Sequence, residues 1–316
     1  MFKSLSLKVI IFGFIFTFFS SFGQSFFIGL FNSSIRETLS ISHGQFGTIY
    51  ASATLCSSLL VIWIGKKIDD VNVLKFAIFV TLLLSFASFF FSKTSSVLFL
   101  FAAIFLMRFS GQGMMSHTAS TTISRYFTKS RGRALSMIWF GLSSAEFILP
   151  VLIVYSLTLM AWQNIWIIIS ITVLIFLPLA SFFLVKEVKL DTRETDQDEN
   201  FKEVKIKQWK RIEVLGDYRF YIISLNMLAM PWIATGVFVY QSFIVSSKGW
   251  GEYTIAQSFM SYSICSVITL LVSGYLIDKF TSRKLLIYMN IPLLLATFVI
   301  MYFDATQSAF LFLGLV

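Results

Sequence analysis

The chain has 316 residues, 57% of them hydrophobic and only 13% charged, with 37 Phe and a formal net charge of +9; its mean hydropathy is +0.80. A soluble domain carries about 25% charged residues. This chain cannot cover itself with polar surface, so a soluble enzyme is excluded and lipid is its main solvent.

Lys3 and Lys8 open the chain ahead of an apolar run from Val9 to Leu30. Secretory signal cores are roughly 7–15 residues long and end at a small-residue cleavage site. This run is longer and lacks that site, so it reads as an uncleaved first membrane helix. A crossing needs about 20 mainly apolar residues. Nine such stretches are predicted, over 8–31, 44–65, 73–92, 96–117, 133–157, 163–185, 219–246, 253–277 and 284–303, and a tenth begins near Ala305. No alternating pattern of barrel strands occurs, so helices are the only spanning option.

Basic residues fall on one set of loops. Of the 25 Lys and Arg, 21 lie before helix 1, after helix 2, before helix 5, between Lys186 and Arg219, or at Lys279–Lys284. The opposite loops hold only Arg36, Lys93 and Lys248, and Arg108 lies within a helix. The positive-inside bias places the N-terminus and the long loop in the cytoplasm, with the plasma (inner) membrane as the expected location. The net positive charge is thereby explained by topology, and no nucleic-acid partner is needed. Segment 186–218 is the one clear linker, mixing both signs before turning basic. Ile206, Trp209 and Ile212 recur at spacing three among Lys and Arg, which predicts a short interfacial helix. The expected domains are 1–185, the linker 186–218, and 219–316.

A short pattern then repeats. Gly65-Lys-Lys-Ile-Asp69 follows one apolar stretch, and Gly274-Tyr-Leu-Ile-Asp278 follows another 209 residues later. Cys56 and Cys265 keep the same offset, as do Ser52 and Ser261, Ser57 and Ser266, and Ile68 and Ile277. Internal repeats on this scale within membrane-spanning sequence point to a transporter. The two Cys, both within apolar stretches, are expected to be buried small hydrophobes. Two scattered His and two Cys give no metal-ligand spacing. No Gly-x-x-x-x-Gly-Lys-Ser/Thr loop, Gly-x-Ser-x-Gly elbow or His-Glu-x-x-His motif occurs, so neither cofactor, ATP drive nor hydrolysis is expected.

Together these features resemble the major facilitator superfamily, whose members carry Gly-x-x-x-Asp after helices 2 and 8 and a long central loop. The second copy fits well through Gly274, Asp278, Lys279, Arg283 and Lys284. The first departs from the pattern, with Asp70 at a usually basic position and Asn72 at a usual Gly. Arg108-Phe-Ser-Gly111-Gln-Gly113 resembles the family's helix 4 motif, and the run from Arg125 through Arg131 and Arg133 its basic loop before helix 5. Gly141, Ala145 and Pro150 loosely resemble its helix 5 motif. The resemblance implies an all-α integral membrane fold of two six-helix halves, the second incomplete, with nine to ten transmembrane helices present. Asp69 is followed by 116 residues through residue 185, but Asp278 by only 38 through Val316, so the repeat predicts 78 further residues. It also implies gating roles for Gly65, Asp69, Gly274, Asp278, Arg283, Arg131 and Arg133. Asp278 would latch onto the start of helix 5 near Arg131–Arg133.

Candidate chemistry follows from polar groups at membrane depth, which usually face a cavity or a partner. Arg108 is the leading substrate-binding candidate, for an anion; a structural ion pair is the alternative. Glu146 is the only acid within an apolar helix and suits proton coupling, or else pairs with Arg108. Gln24 and Gln112 are expected to bond substrate or another helix. Gly23, Gly29, Gly111 and Gly113 are expected to permit close helix approach. Ser20, Ser21, Ser25 and Thr54 are expected to satisfy local backbone, and His117 and an outer-loop His43 to be structural. Trp232 follows Pro231 and is expected in core or lipid contact, with a cavity wall as the alternative. The resemblance implies a monomeric secondary transporter of a small, anionic solute. An exporter of hydrophobic compounds, and a membrane sensor or transport-inactive remnant, stay open as alternatives.

Overall fold

The computed structural model describes residues 4–69, 71–127, 131–188, 211–251, 253–280 and 282–316. Among the described residues there is no strand, and nine helices are long and apolar enough to cross a membrane. They are α1 (Leu5–Gly29), α2 (His43–Ile64), α3 (Val73–Ser92), α4 (Val97–Tyr126), α5 (Arg131–Leu159), α6 (Trp162–Val185), α7 (Tyr218–Val239), α8 (Tyr253–Phe280) and α9 (Lys284–Tyr302). A tenth, α10 (Gln307–Leu315), packs on α8 and α9. Residues 206 and 209 of the expected interfacial helix lie outside the described residues. The gating positions Asp69, Gly274, Asp278 and Arg283 lie outside those whose side chains are described.

Helix starts follow local chemistry. Ser42 and Gln45 form a reciprocal capping box at α2, and the Asn72 side chain accepts from the Leu74 N–H at α3; each satisfies amide groups that a helix end leaves unpaired. Four expectations change. His43 does not sit in a loop but begins α2. Helix α4 runs to Tyr126 because Ser116–Tyr126, though polar, continues as helix beyond the apolar stretch. Helix α7 stops at Val239, and a separate helix, Gln241–Lys248, follows Tyr240. Cys56 is exposed and only Cys265 is partly buried, because α2 turns that side outward. Trp232 is 80% exposed and so is not in the core.

Polar side chains tie helices where no hydrophobic force favours one apolar contact over lipid. Between α3 and α6 the bonds are reciprocal: the Ser85 hydroxyl donates to the Ser170 carbonyl at 3.0 Å, and the Ser170 hydroxyl donates to the Ser85 carbonyl at 2.8 Å. Replacing Ser85 by Ala should lower stability by about 1 kcal/mol, the scale of interhelical bonds in membrane proteins; an unchanged thermal midpoint would show the pair to be idle. Asn290 donates to both the side-chain and main-chain oxygens of Asn226, at 2.8 and 2.9 Å, joining α9 to α7.

Helices α1–α6 meet α7–α10 along α1 with α7 and along α5 with α8. Asn32 Nδ2 donates to the Val239 carbonyl at 2.6 Å, and Gln241 Nε2 donates to the Phe26 carbonyl at 3.1 Å. A Cβ on Gly29 would run into the Phe238 carbonyl, a backbone group that cannot rotate away, so this position demands glycine. All of these contacts lie at the end of the bundle opposite the basic loops. Nearer its middle, the Ser263 hydroxyl donates to the Ser143 carbonyl at 2.5 Å.

Candidate functional site

The centre of α1–α6 is built on two irregular segments. Helix α1 passes through a 3-10 turn at Ser21–Gly23, becomes extended at Gln24 (φ −82°, ψ 156°), and resumes as helix at Ser25–Gly29. Helix α4 widens to a π-helix over Arg108–Met115. Broken helices and π segments within membranes cluster at binding sites, because they free backbone groups for other partners. The two irregularities touch. A Cβ on Gly23 would sit 2.5 Å from the Gln112 amide nitrogen, and one on Gly111 would sit 2.7 Å from the Gly23 backbone. The paired glycines allow that backbone approach, as the sequence predicts.

A continuous α-helix would pair the Gly23 carbonyl with the N–H four residues on. Extended backbone at Gln24 prevents this, and Arg108 takes the N–H's place. Its Nη1 donates to the Gly23 carbonyl at 3.0 Å and to the Ser25 hydroxyl oxygen at 3.2 Å. The Tyr50 hydroxyl of α2 donates to the same Ser25 oxygen at 2.9 Å. The guanidinium carbon lies 5.3 Å from the Tyr50 ring centroid, a cation–π distance. Arg108 is 5% exposed, and its Nε has no partner.

Every group that Arg108 touches is neutral. It makes no ion pair with Glu146 or any other acid among the described residues. Glu146 is buried on α5 and makes no hydrogen bond or ion pair there. It lies one turn from Ser143 at the α5–α8 contact, within electrostatic reach of Tyr262 on α8. Gln24 and Gln112 flank Arg108 at the two irregular segments, both partly exposed, with no side-chain bond among the described residues.

Of the hydroxyls expected to satisfy local backbone, Ser20 does so, donating to the Thr17 carbonyl at 2.7 Å. Ser25 does not; it joins Arg108 to Tyr50, while the Ser21 and Thr54 hydroxyls are buried and bond no described group. Tyr50 is the site residue that sequence reading misses, and its signal was a phenol in an apolar helix. The His117 imidazole Nε2 bonds the Gly65 carbonyl at 2.9 Å, tying α4 to the segment after α2. At the start of α5, Arg131 Nε donates to the Ser124 carbonyl at 3.0 Å, and Arg133 is exposed.

The architecture is that of a membrane transporter, and the comparisons agree. The Major Facilitator Superfamily profile matches residues 13–316. The chain belongs to that superfamily and is an integral membrane protein whose partners are a small-molecule solute and lipid. A sequence comparison with curated proteins finds no match. Among solved structures, a bacterial homologue of the human lysosomal transporter Spinster, inward-facing and unoccupied, superposes with TM-score 0.69 at 15% identity. That alignment covers 100% of this chain and 75% of the other. The nucleoside transporter NupG also gives TM-score 0.69, at 12% identity, covering 99% of this chain and 78% of the other. At such identities the likeness is one of fold.

Proposed function

We propose that this protein is a secondary active transporter of a small organic anion, working by alternating access about the site at Arg108. The observation that supports this reading is a buried guanidinium with only neutral partners. An uncompensated charge at membrane depth costs several kcal/mol or more, and an anionic solute would supply the missing counter-charge. Ser25 and Tyr50 lie beside it, and in this reading Gln24 and Gln112, on the same two irregular segments, help orient a carboxylate. In this reading, residues 1–185 and 219–316 are the two rocking bodies and 186–218 joins them. The protein works as a monomer in the plasma (inner) membrane, with its N-terminus and basic loops cytoplasmic. Asp278 latches onto the start of α5 near Arg131 and Arg133 when that side closes, with Gly65, Asp69, Gly274 and Arg283 in the paired gating segments.

Counterflow into proteoliposomes tests the reading. Radiolabelled monocarboxylate should accumulate transiently and be competed by unlabelled carboxylates, not by nucleosides or lipophilic dyes. Competition by lipophilic dyes alone would instead make the protein an exporter of hydrophobic compounds.

Glu146 is the proposed proton carrier. Its position at the α5–α8 contact supports this, since the contact must rearrange as the halves rock. Glu146→Gln should abolish uptake driven by a pH gradient while sparing exchange at equal pH. Retained pH-driven accumulation would remove Glu146 from coupling.

A further inference from the structure

A cavity with several polar side chains on its wall lies between the halves, toward the end opposite the basic loops. It holds about 430 Å3 and is walled by the end of α1 and the helix after it, by α2 and α5, and by residues 241–256. Four polar groups on its wall are incompletely satisfied. Arg36 uses Nε to donate to Asn32 Oδ1 at 2.7 Å, and it forms no ion pair among the described residues. His43 Nδ1 and Ser242 Oγ are buried without a partner. Gln241, 4% exposed, donates one amide hydrogen to the Phe26 carbonyl and retains the other.

We propose that this cavity is an outer subsite for a small carboxylate, with Arg36 as its charge partner and His43, Gln241 and Ser242 as hydrogen-bonding groups. The volume falls within the roughly 300–1,000 Å3 of small-molecule sites. The His43 and Ser242 side chains line the cavity and would turn their polar atoms to a ligand by rotating about χ1, and a cation with no counter-ion among the described residues selects an anionic ligand. The site also communicates with the contact between the halves. Arg36 Nε holds Asn32 Oδ1, while Asn32 Nδ2 holds the Val239 carbonyl of α7. A carboxylate on Arg36 would bear on this hydrogen bond between the halves. The subsite thus lies on the solute's path and deepens the proposed organic-anion reading, on which its role in transport rests.

The test is chemical protection of His43 in the purified full chain in nanodiscs. Diethylpyrocarbonate acylates imidazoles, and mass spectrometry reads His43 and His117 separately. Acetate at ten times its half-protecting concentration should slow His43 modification about tenfold and leave His117 unchanged. Arg36→Gln should remove the protection, and Arg36→Lys should keep part of it, which separates charge loss from misfolding. Unchanged His43 reactivity with acetate, or equal protection in Arg36→Gln, would overturn the subsite. Protection by sulfate but not acetate would overturn the carboxylate assignment. Arg108→Gln keeps the two readings apart: His43 protection should survive in it. If wild-type protein shows that protection but no carboxylate counterflow, the subsite stands and the transport reading fails.

Discussion

Arg108→Gln should lower carboxylate counterflow by about two to three orders of magnitude, the effect of removing one member of a buried, hydrogen-bonded charge pair worth about 2–5 kcal/mol. Glutamine keeps an N–H donor for the carbonyl that the α1 break exposes, so the fold loses little. It also relieves the bundle of a buried charge whose partners are all neutral, so the thermal midpoint should stay level or rise. Arg108→Lys keeps the charge, but its single ammonium nitrogen replaces a planar guanidinium that can bond the Gly23 carbonyl and Ser25 through Nη1 and still offer other N–H groups to a carboxylate. It should fall between, at about tenfold loss. The discriminating result is flux lost at undiminished stability. Flux and stability falling together would make Arg108 a structural brace, and full carboxylate flux in Arg108→Gln would end the anion reading.

Gly23→Ala should destabilise the protein by about 3 kcal/mol, at the upper end of overpacking effects. The added Cβ would meet the Gln112 amide nitrogen at 2.5 Å and the Gly111 Cα at 2.8 Å. Both are backbone atoms, so no side chain can rotate away. Gly111→Ala attacks the same contact from the other side and should behave alike. The double variant should lose less than the sum, because one separation of α1 from α4 relieves both clashes. Gly236→Ala is the control. Nothing lies within 4 Å of its Cβ, and alanine's helix propensity should add up to about 1 kcal/mol. Thermal unfolding in detergent ranks the variants. A Gly23→Ala midpoint equal to wild type would mean that the break and the π segment can separate freely. In that case Arg108 would not owe its position to them.

The nine spans were legible because apolar runs of about 20 residues have one solution in lipid, a helix that satisfies its own backbone. The paired Gly-x-x-x-Asp segments carried the family, since register over 209 residues survives where identity does not. Arg108, Glu146, Gln24 and Gln112 stood out because polar groups at membrane depth are rare and costly. The glycines of α1 and α4 marked close approach correctly. The helix break at Gln24 was not legible, since no proline marks it and glycine is tolerated in membrane helices. Nor was the role of Ser25 or Tyr50. A serine at membrane depth most often bonds its own helix, as Ser20 does, and only the fold brings α2 and α4 to it. Cys56 erred for a related reason: hydropathy separates lipid from water, but not lipid from core.

The sequence by itself determined the solvent, the spans, the distribution of charge between the two ends and the candidate cations and acids. These depend on local composition and on transfer to lipid, which act residue by residue. The tertiary structure alone decided that Arg108 bonds an exposed carbonyl and not Glu146. It also placed Glu146 at the contact between the halves and gathered Arg36, His43, Gln241 and Ser242 around one cavity. Those outcomes depend on which helix faces pack together. In lipid that choice is made by small-residue contacts and single hydrogen bonds between residues far apart in the chain.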